Sequence, residues 1–300
     1  MTTKIATTKI SGLWLPLITP FKDGAIDFAS YDRLVNHYIA KGVDGLLPLG
    51  TTGESPALDE DEIAAVIERT LAVADGRVPV FAGVGGNATA KVEKELKRLR
   101  HLPIAGILSV CPYYNRPSQD GLIAHFRRIA AATDRDVVIY NIPYRTAVNL
   151  SNDSLLELAE LPNIVGVKDS SGSVEQSLEL LRRKPSDFAV LTGEDALFFT
   201  MRANGAEGGI LAASHVMTEG FVEVERCFRA NDLSGARKAW APLAGFVPML
   251  FAEANPMPIK HLLWRQGLIA SPECRLPLTK ISDGLARRLD AVFAEKKAAA

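Results

Sequence analysis

The residues with the most chemistry in them are a lysine that closes a short apolar run and a tyrosine and arginine set by the run before it. The lysine run reads Ile164, Val165, Gly166, Val167, Lys168. It is too short for a helix and apolar on both faces, which matches a parallel strand covered on each side. A cation at the end of such a strand costs free energy unless it is paired or is neutral part of the time, and the neutral amine is the nucleophile. The plainer alternative is a lysine whose stem lies along apolar surface while its head pairs with the adjacent Asp169. The preceding run, 137–140, ends in Tyr140, and Arg145 follows shortly after. A phenol near a lysine can deliver a proton to a carbonyl oxygen and take it back, as amine addition requires. An arginine fork can hold a substrate carboxylate through two hydrogen bonds. Read blandly, the tyrosine packs at a rim and the arginine decorates a surface loop.

Other polar clusters also follow apolar runs: GTTGESP at 50–56, CPYYNRP at 111–117 and TGED at 192–195. Gly50 and Gly53 would let backbone amides and the hydroxyls of Thr51 and Thr52 approach a small carboxylate, although a plain turn explains them too. Tyr113 and Tyr114 join Tyr140 as candidate proton carriers. GVGGNA at 83–88 has the spacing of a dinucleotide loop, but it follows the third strand and the next strand ends without an acidic residue for a ribose. The five histidines show no ligand spacing, so a metal mechanism has little support, and most read as surface or capping residues.

The elements that must position these groups alternate regularly. Apolar runs at 13–18, 45–49, 78–84, 105–110, 137–140, 164–168, 189–192 and 208–211 predict eight strands. Between them lie amphipathic stretches, such as Tyr31, Leu34, Val35, Tyr38, Ile39 and Ile63, Val66, Ile67, Leu71. Asp59 three before Glu62, and Ser173 three before Gln176, are helix-start signals. This rhythm predicts α/β architecture with parallel strands, closed into a (β/α)8 TIM barrel that leaves no sheet edge, an open doubly wound sheet being the rival. Every polar cluster then falls at the C-terminal ends of strands, the face on which such barrels build their sites. From about 213 onward only helical patterns occur, at 218–230, 232–254, 257–268 and 281–295, with Pro242 and Pro248 expected to bend or break the second. The expected division is a barrel over 1–212, closed by the helix near 218–230, and a C-terminal helical extension over 231–300.

With 47% hydrophobic and 23% charged residues and a net charge of −1, the chain offers no field for nucleic acid or an anionic membrane. Cys111, Cys227 and Cys274 lie far apart, which favours free thiols in a reducing compartment. The opening MTTKIATTKI lacks an apolar core, and no run is long enough to span a bilayer, so a cytoplasmic protein is expected.

Taken in order, GTTGES, PYYNRPSQDGL, YNIPYRT, GVKDSSG, TGED and NPMPIK (255–260) extend over essentially the whole chain. In this the sequence resembles the pyruvate-dependent class I aldolase family that includes dihydrodipicolinate synthase and N-acetylneuraminate lyase, and within it the synthase branch. The resemblance implies a lyase of lysine and diaminopimelate biosynthesis that condenses pyruvate with aspartate semialdehyde to 4-hydroxy-tetrahydrodipicolinate. It implies a Schiff base between Lys168 and pyruvate, and a proton relay of Tyr140, Thr51 and Tyr114, the last reaching in from a neighbouring subunit. Thr52, Gly193 and Ile210 would border pyruvate, and Arg145 would receive the carboxylate of the second substrate. No metal or organic cofactor is implied, and the chain would be a homo-oligomer, a dimer or a tetramer. Tyr144 departs from the family, which usually has a small residue there, so an aldolase for a different 2-oxo acid stays open. A non-catalytic binding barrel is the third reading, weakened because a binder needs no lysine beside a tyrosine relay. In lysine-sensitive members the effector sits between subunits near the segment matching GVGGNATAK, where an acidic residue meets its amino group. Here Lys91 stands at that position, with Glu60 and Ile63 where polar side chains are usual, although Ser55, Asn87 and Tyr113 are retained.

Overall fold

The computed structural model describes residues 10–299; the N-terminal segment 1–9 lies outside it. Eight strands form one sheet: β1 (Gly12–Leu15), β2 (Gly45–Leu46), β3 (Phe81–Gly83), β4 (Gly106–Val110), β5 (Asp136–Asn141), β6 (Ile164–Asp169), β7 (Ala189–Thr192) and β8 (Gly208–Ile210). Their hydrogen-bonded order is β2-β1-β8-β7-β6-β5-β4-β3. This is the (β/α)8 barrel, with helices continuing past its last strand. All eight expected strands are present. The first three are shorter than their apolar runs, because Leu17, Leu47 and Val80 are buried as the runs predict but lie outside the strands. A two-stranded hairpin, Phe21–Lys22 with Ala25–Ile26, has no counterpart in the hydrophobic pattern.

The chain forms two compact units. The first consists of Pro79–Leu211 and the segment up to Trp14. Its ladders are parallel and set the register that matters below: Val110 opposite Tyr140, Tyr140 opposite Lys168, and Asp169 opposite Thr192. β1 closes onto β8 with Trp14 opposite Ile210. The strand interiors are almost wholly apolar, Val137, Val138, Ile139 and Val190 being fully buried, as a sheet covered on both faces requires.

The second unit consists of Leu15–Val78 and the chain from Ala212 onward. Here β2 continues the sheet through Leu47 N to Leu15 O (2.8 Å) and Leu17 N to Leu47 O (3.0 Å). The helix Phe28–Lys41 buries Tyr31, Leu34, Val35 and Tyr38 on the expected face, each aliphatic contributing about 1.5–3 kcal/mol. The helix Glu60–Ala74 starts with a complete reciprocal cap between Asp59 and Glu62. The pattern at 232–254 is divided into the helix Leu233–Ala244 and a short 3-10 turn, Val247–Phe251. Pro242 is tolerated inside the first piece; Pro248 opens the second, where its missing N–H costs nothing.

Candidate active site

Consecutive side chains of a strand point to opposite faces, which separates Lys168 from its neighbour Asp169. Asp169 accepts hydrogen bonds from Ser171 N at 2.9 Å and from the Ser177 hydroxyl, so it secures the turn into the helix Val174–Arg183. The plainer alternative, a Lys168–Asp169 pair, is therefore excluded. Lys168 is only 6% exposed, and its Nζ lies 4.2 Å from the centre of the Tyr140 ring. Burial lowers the ammonium pKa to about 8, opposed by the charges of Asp195 and Glu194 and assisted by Arg145. At pH 7 roughly a tenth of such a lysine is neutral, against roughly one part in 3,000 at an ordinary lysine pKa.

Gly193 follows β7 and donates its N–H to Asp169 O at 2.8 Å. A Cβ at Gly193 would collide first with the Ser170 hydroxyl, and would stand 2.6 Å from Lys168 Cε and 2.9 Å from Cγ. Only glycine leaves the Ser170 and Lys168 side chains their room. Glu194 is half-buried; burial raises its carboxyl pKa, while the nearby Ser170 hydroxyl and the charge of Lys168 pull it down. Asp195 is buried in the turn after it. Sequence reasoning placed TGED in the site but assigned only Gly193 a role there. The signal that could have found the acids is their succession immediately after a strand end. Ile210 ends β8 and is fully buried.

Arg145 lies on the short turn Pro143–Thr146, exposed, with its guanidinium 5.5 Å from the ring centre of Tyr144. Tyr144 is itself 67% exposed. After β4, Tyr114 takes a left-handed backbone conformation with φ 74° and is 89% exposed, so its own chain does not bury it. The loop is held instead by Asn115, whose side chain donates to Asn87 O at 3.0 Å, and by Arg116 Nε, which donates to Ala147 O at 3.2 Å. The structure thus brings Lys168, Tyr140 and Gly193 together at the ends of β5, β6 and β7, and leaves Tyr114 pointing into solvent.

In the second unit, Thr51–Gly53 form a 3-10 turn closed by Gly53 N to Gly50 O and Glu54 N to Thr51 O. Thr52 is buried, and its hydroxyl accepts from Asn255 Nδ2 at 2.9 Å. Asn255 belongs to NPMPIK, which sequence reasoning used for likeness alone. No other signal linked residues so distant in the chain.

One expectation needs correction. His125, His215 and His261 are buried rather than surface residues. His215 Nε2 accepts from Ile18 N at 3.3 Å and its Nδ1 lies 2.8 Å from Ala212 O, so it knits backbone together. Gly85 of the GVGGNA segment serves packing, since a Cβ there would meet Val110 N at 2.9 Å. Among the described residues no cluster of histidine, cysteine and acidic side chains could hold a metal ion. A cavity of about 410 Å³ lies at the opposite, N-terminal ends of β6 and β7, lined by Ile164, Ala189 and Glu207 among others. In such barrels that end serves stability rather than chemistry.

The sequence model of the Dihydrodipicolinate synthetase family matches residues 9–296. A Clostridium acetobutylicum protein named 4-hydroxy-tetrahydrodipicolinate synthase 2 is 49% identical over 282 residues, 94% of this chain and 99% of its own. A Laribacter hongkongensis protein named 4-hydroxy-tetrahydrodipicolinate synthase is 40% identical over 285 residues, 95% of this chain and 98% of its own. The crystal structure of dihydrodipicolinate synthase from Aquifex aeolicus superposes with a TM-score of 0.93 at 38% identity, covering 96% of this chain and 98% of that one.

Proposed function

We propose, from the premise that the chain belongs to the dihydrodipicolinate synthetase family, that it condenses pyruvate with aspartate semialdehyde to 4-hydroxy-tetrahydrodipicolinate in lysine biosynthesis. The observation that supports this most is the Lys168 amine, buried at the end of β6 against the Tyr140 ring with a pKa lowered to about 8. The neutral amine attacks the ketone of pyruvate and water leaves. The protonated imine draws electrons from the methyl group, whose proton departs to give an enamine. The enamine carbon bonds to the aldehyde carbon, the substrate amine displaces Lys168, and the ring product leaves with the lysine regenerated. No cofactor enters this scheme, because the imine is the electron sink.

In this reading Tyr140 carries protons to and from the ketone oxygen, passing them along Thr51 and Tyr114. Thr52, Gly193 and Ile210 border the pyruvate, and Arg145 takes the carboxylate of the aldehyde. Tyr114 acts in the site of a neighbouring copy of the chain, which makes the enzyme a dimer or tetramer; its 89% exposure supports this. No helix among the described residues is long and apolar enough to cross a membrane, and we place the enzyme in the cytoplasm. The exposed ring of Tyr144 beside Arg145 favours a second reading, in which another aldehyde is the acceptor. Treating the protein with pyruvate and borohydride tests the common step: a reduced three-carbon adduct on Lys168 is expected, and full activity with Lys168 unmodified would overturn it. Initial rates across a panel of aldehydes then separate the acceptors.

A further inference from the structure

The second unit contains a charge pair that the reaction scheme does not use. Lys260 is completely buried, and its Nζ forms an ion pair with Glu54 Oε1, also buried. The same ammonium donates to Glu273 O at 2.8 Å and sits 4.2 Å over the Phe21 ring. The other oxygen of Glu54 accepts from Arg275 N at 3.0 Å. Arg275 in turn forks onto both oxygens of Glu62, each at 2.6 Å. Burial pushes the Lys260 pKa down and Glu54 draws it back up.

Glu54 is the residue that ends the Thr51–Gly53 turn. Its φ of 53° puts a side-chain-bearing residue in the left-handed region, and Leu49, just before the loop, has φ 64°. Such conformations persist only when the surroundings over-determine them. The loop is also pinned at Thr52 by Asn255, and at Gly53 O by the Thr19 hydroxyl at 2.7 Å. Asn255, Lys260, Glu273 and Arg275 all come from the C-terminal part of the chain, beyond the barrel strands. A buried pair is poor at adding stability compared with apolar side chains of similar volume, and its better-attested use is to specify one arrangement over others.

We propose that Lys260, with Glu54, is a positioning residue for turnover: the pair locks the loop so that Thr51 and Thr52 hold the places the reaction requires. This rests on the role assigned above to Thr51 and Thr52. It also gives the helical extension a part in the chemistry, since removing the pair releases the loop without touching Lys168.

The test is the double variant Glu54→Gln, Lys260→Met, which leaves no bare buried charge. Its melting temperature stays near that of the wild type, while kcat falls at least about tenfold, because misplacement by an ångström can cost about 10²-fold. Borohydride trapping of pyruvate on Lys168 persists, and amide exchange across residues 50–57 quickens. Wild-type exchange, or wild-type kcat, overturns the proposal. Glu54→Asp provides a second measurement should the double variant fold poorly: it keeps both charges but draws the carboxylate back by one methylene, and wild-type kcat there also overturns the proposal. Thr51→Val measured alongside locates the fault. If Thr51→Val is slow while the released loop turns over normally, the clamp is wrong; if Thr51→Val also turns over normally, the role of Thr51 is wrong.

Discussion

At the scale of single residues, the lysine is made useful by its surroundings. Desolvation favours the neutral amine, while Asp195 and Glu194 limit the shift, so the group stays within reach of both protonation states near neutrality. Because the neutral form attacks, the rate of pyruvate trapping on Lys168 should rise about tenfold per pH unit below about 8 and level off above it. Borohydride trapping at a series of pH values measures this, and a flat profile between pH 6 and 8 would remove the lowered pKa from the account. Tyr140 presents its ring to Lys168 from the facing strand, so Tyr140→Phe keeps the packing and loses the hydroxyl. Turnover should fall by about 10² to 10⁴, the usual contribution of a general acid–base group. Steady-state rates with an unchanged melting temperature would establish it; a wild-type rate would return Tyr140 to the core.

At the scale of elements, the site is a property of strand ends. Tyr140, Lys168 and Gly193 belong to three adjacent segments whose register fixes their order. Gly193→Ala places a methyl group against the Ser170 hydroxyl and against Lys168 Cε and Cγ, all side-chain atoms, so the strain falls on these two side chains and not on the sheet. The fold should survive, with pyruvate trapping slowed by about 10²-fold, the cost of a misplaced reacting group. Trapping kinetics and a melting curve on the same sample decide it, and a large loss of stability would show that the backbone yields instead. The loop after β4 makes a different prediction. Tyr114 is left exposed on a loop that Asn115 and Arg116 hold in place, as expected of a side chain that serves another copy. Mixing Tyr114→Phe chains with Lys168→Ala chains should restore part of the activity in hybrid oligomers. If mixing is confirmed and activity stays absent, each site is contained in one chain.

At the scale of the whole molecule, the family resemblance raises the question of inhibition by lysine. Lys91 is exposed in the first turn of the helix Thr89–Leu99, and the resemblance implies that it stands where lysine-sensitive members carry an acid. A lysine effector would meet a like charge, and such juxtaposition can cost several kcal/mol, roughly a hundredfold or more in affinity. Millimolar lysine should therefore inhibit little or not at all. Initial rates against lysine concentration settle the matter, and half-inhibition well below millimolar would mean that the effector's amine avoids Lys91.

The eight-stranded barrel, and the placement of Lys168 and Tyr140 at the ends of neighbouring strands, were legible in the sequence, because hydrophobic period and position at a strand end are local properties. Only the tertiary structure decided that Asp169 turns away toward Ser171 and Ser177, and that Gly193 is a glycine because the Ser170 and Lys168 side chains press on it. It also decided that His215 is an interior residue joining Ile18 to Ala212. Thr52 and Asn255 are 203 residues apart, and nothing in the spacing of either motif says that they meet. The same holds for Glu54 and Lys260: burial of both charges becomes tolerable only once folding has brought them together, so neither alone announces the pair.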